Sequence, residues 1–183
     1  YPLNTVSRLA EQLKIVSRLI KGRLGTRVYM VYIDGFDTHA EQRNYHPRLM
    51  SDLSNCISSF YNDLKADNFS ENVCMMTFSE FGRRIKSNAS MGTDHGAAAP
   101  LVMFGKHAKK GILGTSPDIP ADIQVVNNIP FQYDFRSVYA SVLEQWFCVK
   151  QPALDTIMLK NYQSLPLVKG GPCGVPDIDV VNN

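Results

Sequence analysis

Three short loops carry most of the residues in this chain that are suited to chemistry. They are Asp34-Gly35-Phe36-Asp37-Thr38-His39, Ser79-Glu80-Phe81-Gly82-Arg83 and Gly92-Thr93-Asp94-His95-Gly96. The chain has only 4 histidines; His39 and His95 lie beside aspartates in these loops, and His46 follows closely. A divalent metal takes neutral imidazole nitrogen and carboxylate oxygen converging from several loops. On that reading the ligand candidates are Asp37, His39, Asp94 and His95, with Glu80 as a further carboxylate. A second ion about 3.5–4 Å away would clamp the attacking and leaving oxygens of a phosphoryl or sulfuryl transfer. Arg83 and His46 are candidate substrate contacts, since a guanidinium matches phosphate or sulfate oxygens in a two-pronged fork. Two plainer readings use the same residues. One is a histidine–carboxylate site without metal. In the other the loops are structural: Asp37 builds a turn, His46 caps a helix ahead of Pro47, and Glu80 pairs with Arg83. Spacing alone leaves all three open.

The elements around the loops set where these residues can meet. Residues 4–21 repeat apolar positions Leu9, Leu13, Val16, Leu19 and Ile20 at helical spacing, and Gly22 and Gly25 stop the run. Residues 27–33, RVYMVYI, are nearly continuously apolar and read as a strand buried on both faces. A second helix is expected over residues 46–67, with Leu49, Leu53, Cys56, Ile57, Phe60 and Leu64 on its buried face. Buried strands are expected at 72–78 and 100–104, and a last helix over 134–147 with Asp134 as its N-cap. Helices alternating with apolar strands predict an α/β fold, with helices on both faces of a largely parallel sheet. Ligands of such sheets bind beyond the C-terminal ends of the strands. The first two loops follow strands directly. The third precedes one, so it joins them only if that strand is antiparallel or the loop crosses over. Residues 1–147 are expected to form this domain, and residues 148–183, with Pro152, Pro166, Pro172 and Pro176, an irregular tail.

Composition narrows the partners. Hydrophobic residues make up 44% of the 183 and charged residues 20%, values of an ordinary globular protein. Net charge is +2, too balanced to point to nucleic acid. No apolar run approaches the roughly 20 residues that span a bilayer. Cys56 and Cys74 lie in apolar patterns and read as core thiols. Cys148 and Cys173 flank the tail, placed to staple it in an oxidising compartment. Four cysteines admit three pairings, however. The chain opens Tyr1-Pro2-Leu3 without methionine, so a leader or a larger N-terminal region is expected upstream.

Taken in order, the motifs resemble a known family. They are Gly35-Phe36-Asp37-Thr38-His39-Ala40, then His46, then Thr77-Phe78-Ser79-Glu80-Phe81-Gly82-Arg83-Arg84. Gly92-Thr93-Asp94-His95-Gly96 leading to Ala99-Pro100, and Asp134-Phe135-Arg136-Ser137-Val138-Tyr139, complete the set. Over residues 3–147 the chain resembles the C-terminal half of the bacterial domain-of-unknown-function family 1501, related to the alkaline phosphatase and sulfatase superfamily. The resemblance implies a parallel-sheet sandwich and divalent ions (zinc, manganese or calcium) held by Asp and His. It also implies export to the periplasm, cell surface or exterior. Asp37 and His39 take the place of one metal-binding pair, and Asp94-His95 resembles the late histidine motif of related metal-dependent mutases. Ser79-Glu80-Phe81-Gly82 stands where those relatives carry Asp-His-Gly, so one histidine is replaced. The superfamily nucleophile lies in the N-terminal half, and no residue here is assigned to it. The expected function is hydrolysis of phosphate or sulfate esters, incomplete without the N-terminal half of the same protein or a partner chain. The ligand would be an anionic small molecule or a polysaccharide. The alternative is a non-catalytic exported binding or scaffold protein on a sulfatase-like fold, because function lives in the site and not in the fold.

Overall fold

The computed structural model describes residues 7–173. The chain divides into two compact units. Of the described residues, the first holds 7–73, 78–100 and 119–129, and the second 74–77, 101–118 and 130–173. The expected boundary at residue 147 does not coincide with this division: residues 130–173 fall together in the second unit, and residues 74–129 are shared between the two.

In the first unit, helix α1 spans Arg8–Lys21 and Ser7 caps it, its hydroxyl accepting from the Ala10 N–H at 3.3 Å. Residues 4–6 of the expected helix lie outside the described residues. Helix α2 spans Gln42–Ala66 and begins upstream of His46. The cause is tertiary. The Met91 carbonyl accepts the Gln42 N–H at 3.1 Å, and the Ser90 carbonyl accepts from Glu41 at 3.0 Å. These bonds satisfy donors that a helix start leaves bare, so Pro47 sits inside the helix and not at its head. Leu9, Ala10, Leu13, Val16 and Ser17 of α1 and Cys56, Ile57, Phe60 and Leu64 of α2 are the buried residues of this pair. Fully burying a side chain the size of Leu13, Phe60 or Leu64 contributes about 1.5–3 kcal/mol each.

Polar contacts fix the direction of the two helices. Ser7 Oγ donates to Asp52 at 2.8 Å, Ser17 Oγ donates to Asp63 at 2.5 Å, and Lys21 Nζ meets Asp63 at 2.6 Å and Asp67 at 2.7 Å. The partners advance together along both helices, so α1 and α2 run parallel. The chain between them must therefore travel back. Residues 27–33 do this in extended form but find no strand partner among the described residues. Gln12 of α1 substitutes for one: its side chain donates to the Tyr32 carbonyl at 2.9 Å and accepts the Tyr32 N–H at 3.1 Å. Without a neighbouring strand, alternate side chains face water: Val28 is 71% exposed, Met30 81% and Tyr32 47%.

Strands β2 (Gly82–Arg83) and β3 (His95–Gly96) also belong to the first unit and pair antiparallel, Gly82 opposite Gly96 and Arg83 opposite His95. Glycine is required at 82, where a Cβ would stand 1.6 Å from the Ala98 carbonyl oxygen.

In the second unit, β1 (Met75–Met76) pairs antiparallel with β4 (Met103–Phe104). The expected strands 72–78 and 100–104 thus meet each other, over two residues apiece. Every strand pair among the described residues is antiparallel, and the expected parallel sheet is not formed within them. Helix α3 spans Phe135–Gln145, with the Asp134 side chain accepting from Arg136 N–H at 2.9 Å as its cap. The segment expected to be an irregular tail contains helix α4, Gln151–Met158, where Pro152 falls in the first turn and suits a helix start. Beyond it, Ser141 accepts the Leu165 N–H at 2.6 Å, and Gln145 holds the Leu165 carbonyl at 2.7 Å and the Val168 N–H at 3.0 Å. Cys148 and Cys173 form a disulfide, while Cys56 and Cys74 are free. Residues 174–183, with Pro176, lie outside the described residues.

Candidate metal centre

All three chemistry-bearing loops belong to the first unit. The first and third are laced together by backbone. Thr93 N–H donates to the Thr38 carbonyl at 3.3 Å, and Ala40 bridges Met91. Gly92 allows the approach, since a Cβ there would lie 2.1 Å from the His39 carbonyl carbon. The antiparallel β2–β3 pair then sets the second loop beside the third and resolves how a loop preceding a strand can join the other two.

The result is a cluster. One ligand atom each from Asp37, His39 and His95 lies within 4.8 Å of the others. Asp37 Oδ1 is its hub: His95 Nε2 is 2.7 Å away, His39 Nε2 3.1 Å and an Arg83 nitrogen 3.1 Å. Hydrogen bonding from His95 first, with the charges of His39 and the Arg83 bond adding, holds the Asp37 carboxyl below its ordinary range despite some desolvation. It is therefore an anion at neutral pH. The three side chains are about half exposed, at 58%, 48% and 47%, so the site is open to solutes.

Each neighbour has a visible task. His39 Nδ1 lies 3.4 Å from Asp94 Oδ1. Asn88 fixes Asp94, donating to the same oxygen at 3.0 Å, and also donates to the His39 carbonyl at 3.0 Å. That bond is the main reason the Asp94 carboxyl also sits low. The His95 ring stacks on Phe81, centroids 3.7 Å apart and planes 6° from parallel. Phe81 is aimed by a turn in which Ser79 Oγ donates to the Phe81 carbonyl at 2.8 Å.

The sequence candidates therefore separate. Asp37, His39 and His95 converge. Asp94 touches His39 but is not one of the converging ligands. Glu80 is exposed and outside the cluster. Arg83 is 18% exposed; it donates to the Thr93 carbonyl at 2.5 Å, to the Phe36 carbonyl and to Asp37. It ties loops together where an anion contact was expected. His46 meets Phe36 edge-on at 5.6 Å and lines a cleft with Gln42, Arg43, Ser87 and Met91. Sequence reasoning missed Asn88 and Phe81. The run Ser87-Asn88-Ala89-Ser90 before Gly92 is turn-forming chemistry that points to Asn88; nothing comparable marks Phe81.

A family model described as "Protein of unknown function (DUF1501)" matches residues 9–151. No curated protein and no solved structure matches the chain.

Proposed function

The chain belongs to the DUF1501 family of proteins of unknown function, and on that premise we propose that it is a metal-dependent hydrolase of phosphate or sulfate esters. The observation that carries the reading is the convergence of Asp37, His39 and His95 from two loops. A tetrahedral ion with bonds of about 2.0–2.2 Å sets its ligand atoms roughly 3.3–3.6 Å apart, so small side-chain rotations fit these three to it. Two imidazoles and one carboxylate suit zinc or manganese better than calcium, which takes 6–8 oxygens. A bound divalent ion would polarise the ester and acidify water. Asp37 would supply the anionic oxygen, and His39 and His95 neutral imidazole nitrogen. Arg83 holds the first and third loops at the spacing the ligands need.

The parallel α1 and α2, joined by an extended return, support a doubly wound sheet. In it, residues 27–33 would receive neighbouring strands from an N-terminal half or a partner chain. The Cys148–Cys173 disulfide supports an oxidising destination and hence export. Among the described residues the only cluster of metal-ligating type is the one described. One favoured ion site with a displaced Glu80 is also what a non-catalytic metal-binding scaffold would contain.

The test is thermal melting of chelator-stripped protein with and without zinc or manganese. Ligand at 100 times its Kd stabilises the native state by about 2.7 kcal/mol, which for a chain of this size raises Tm by roughly 5–11 °C. The rise should vanish in His39→Ala and His95→Ala. Metal-dependent hydrolysis of an aryl phosphate or sulfate by the same protein separates hydrolase from scaffold. No shift with either ion would refute the metal centre.

A further inference from the structure

Resting on that metal reading, we infer that Asp94 is not a metal ligand but a positioning residue. It holds His39 in the tautomer and orientation that presents Nε2 to the ion. Both ring nitrogens of His39 face carboxylate oxygens, Nε2 toward Asp37 at 3.1 Å and Nδ1 toward Asp94 at 3.4 Å. A carboxylate only accepts, so a ring nitrogen that faces one and binds no ion has to be the donor. An ion between Asp37 and His39 would take Nε2. Nδ1 keeps its hydrogen and donates it to Asp94, giving a carboxylate–histidine–metal chain.

The position of Asp94 is built rather than incidental. Asn88 Nδ2 donates to the Asp94 oxygen that faces His39 and to the His39 carbonyl, both at 3.0 Å. Asn88 Oδ1 accepts from Ser90 N–H at 3.0 Å and Gly92 N–H at 3.1 Å, so the amide is locked at both ends. One side chain thus fixes the distance between the ring and its carboxylate. His95 gets its support differently, from the face of Phe81. Each imidazole is steered by a different neighbour, His39 by the Asp94 carboxylate and His95 by the Phe81 ring. The adjacent residues Asp94 and His95 therefore act on different parts of the centre: His95 reaches the Asp37 oxygen, while Asp94 reaches the far side of His39.

Zinc affinity by competition with a chromogenic chelator, on the full chain, tests this in Asp94→Asn, Asp94→Ala, His39→Ala and His95→Ala. A positioning carboxylate lost to alanine weakens metal binding about 10–100-fold. Asparagine can still accept from Nδ1–H and should weaken it less. The histidine variants should abolish binding. In parallel, nitrogen-15 spectra of the zinc-bound parent should show His39 protonated at Nδ1, with that signal altered in Asp94→Ala. Loss of affinity in both Asp94 variants equal to that of His39→Ala would make Asp94 a ligand and overturn the inference. Unchanged affinity in Asp94→Ala would overturn it in the other direction. Failure of the parent to bind zinc ends the metal reading itself and this assignment with it. Binding by the parent with Nδ1 of His39 unprotonated leaves the metal centre standing and removes only the role of Asp94.

Discussion

Gly92→Ala is the sharpest probe of how the centre is assembled, because it adds one carbon where two backbones touch. The new Cβ would lie 2.1 Å from the His39 carbonyl carbon, 2.2 Å from its oxygen and 2.5 Å from the Ala40 nitrogen. Ordinary contact begins at 3.4 Å, so the loops must part by more than an ångström. All three atoms are backbone and cannot swing aside. The bonds that hold the loops, Thr93 N–H to Thr38 and Gln42 N–H to Met91, already span 3.3 and 3.1 Å and would stretch. Overpacking of this kind costs about 1–3 kcal/mol, or a fall in Tm of roughly 2–12 °C. Ligand constellations tolerate only about 0.5 Å of displacement, so the metal-induced rise in Tm should disappear as well. Melting curves with chelator and with zinc read both effects. Gly111→Ala is the control: it has a positive φ of 105° but nothing within 4 Å of its added carbon, so it strains backbone without parting the loops and should keep the zinc response. A Gly92→Ala protein that melts like the parent and responds fully to zinc would refute the loop packing from which the centre is argued.

Two further outcomes follow from the second unit. The Cys148–Cys173 bridge spans 25 residues, a closure that stabilises by about 3–4 kcal/mol in the chain-entropy account; reduction, or Cys148→Ser with Cys173→Ser, should lower the unfolding free energy of this unit by that amount, read as a fall in its urea midpoint, and an unchanged midpoint would contradict it. Asp134 is held down to about 2, from 3.8, mainly by its side-chain bond to Arg136; since the folded value is the lower, its stabilisation is complete above about 3.8 and is lost as pH falls from there through about 2. The Tm difference between parent and Asp134→Asn should therefore close over that acid window, and a difference independent of pH would show that the carboxylate charge plays no part.

What the sequence disclosed and what it concealed divide along physical lines. The buried faces of α1 and α2 are readable because a period near 3.6 survives whatever packs against it. The Asp134 cap is readable because capping is local. The start of α2 is not, because the groups that satisfy its first N–H donors are Ser90 and Met91, far along the chain. Residues 27–33 are the clearest departure. Their apolar run predicts burial on both faces, but burial of a strand requires neighbours, and the Gln12 amide stands in for one at Tyr32. The expectation about side-chain chemistry and the observation of exposure are compatible if the neighbours come from elsewhere, which is the arrangement proposed above.

The site shows the same division at the level of single residues. Residue type points to Asp37, His39, Glu80, Asp94 and His95 together, and of these Asp37, His39 and His95 lie close to one another. Type could not separate Asp94 from them or give Arg83 its task, because ligand and support use the same functional groups. The difference lies in which atoms meet. Arg83 donates to two carbonyls and one carboxylate from separate loops, a pattern of fixed, mutually distant acceptors that a guanidinium fork can span and an ammonium cannot. A guanidinium so engaged serves the site by fixing its geometry.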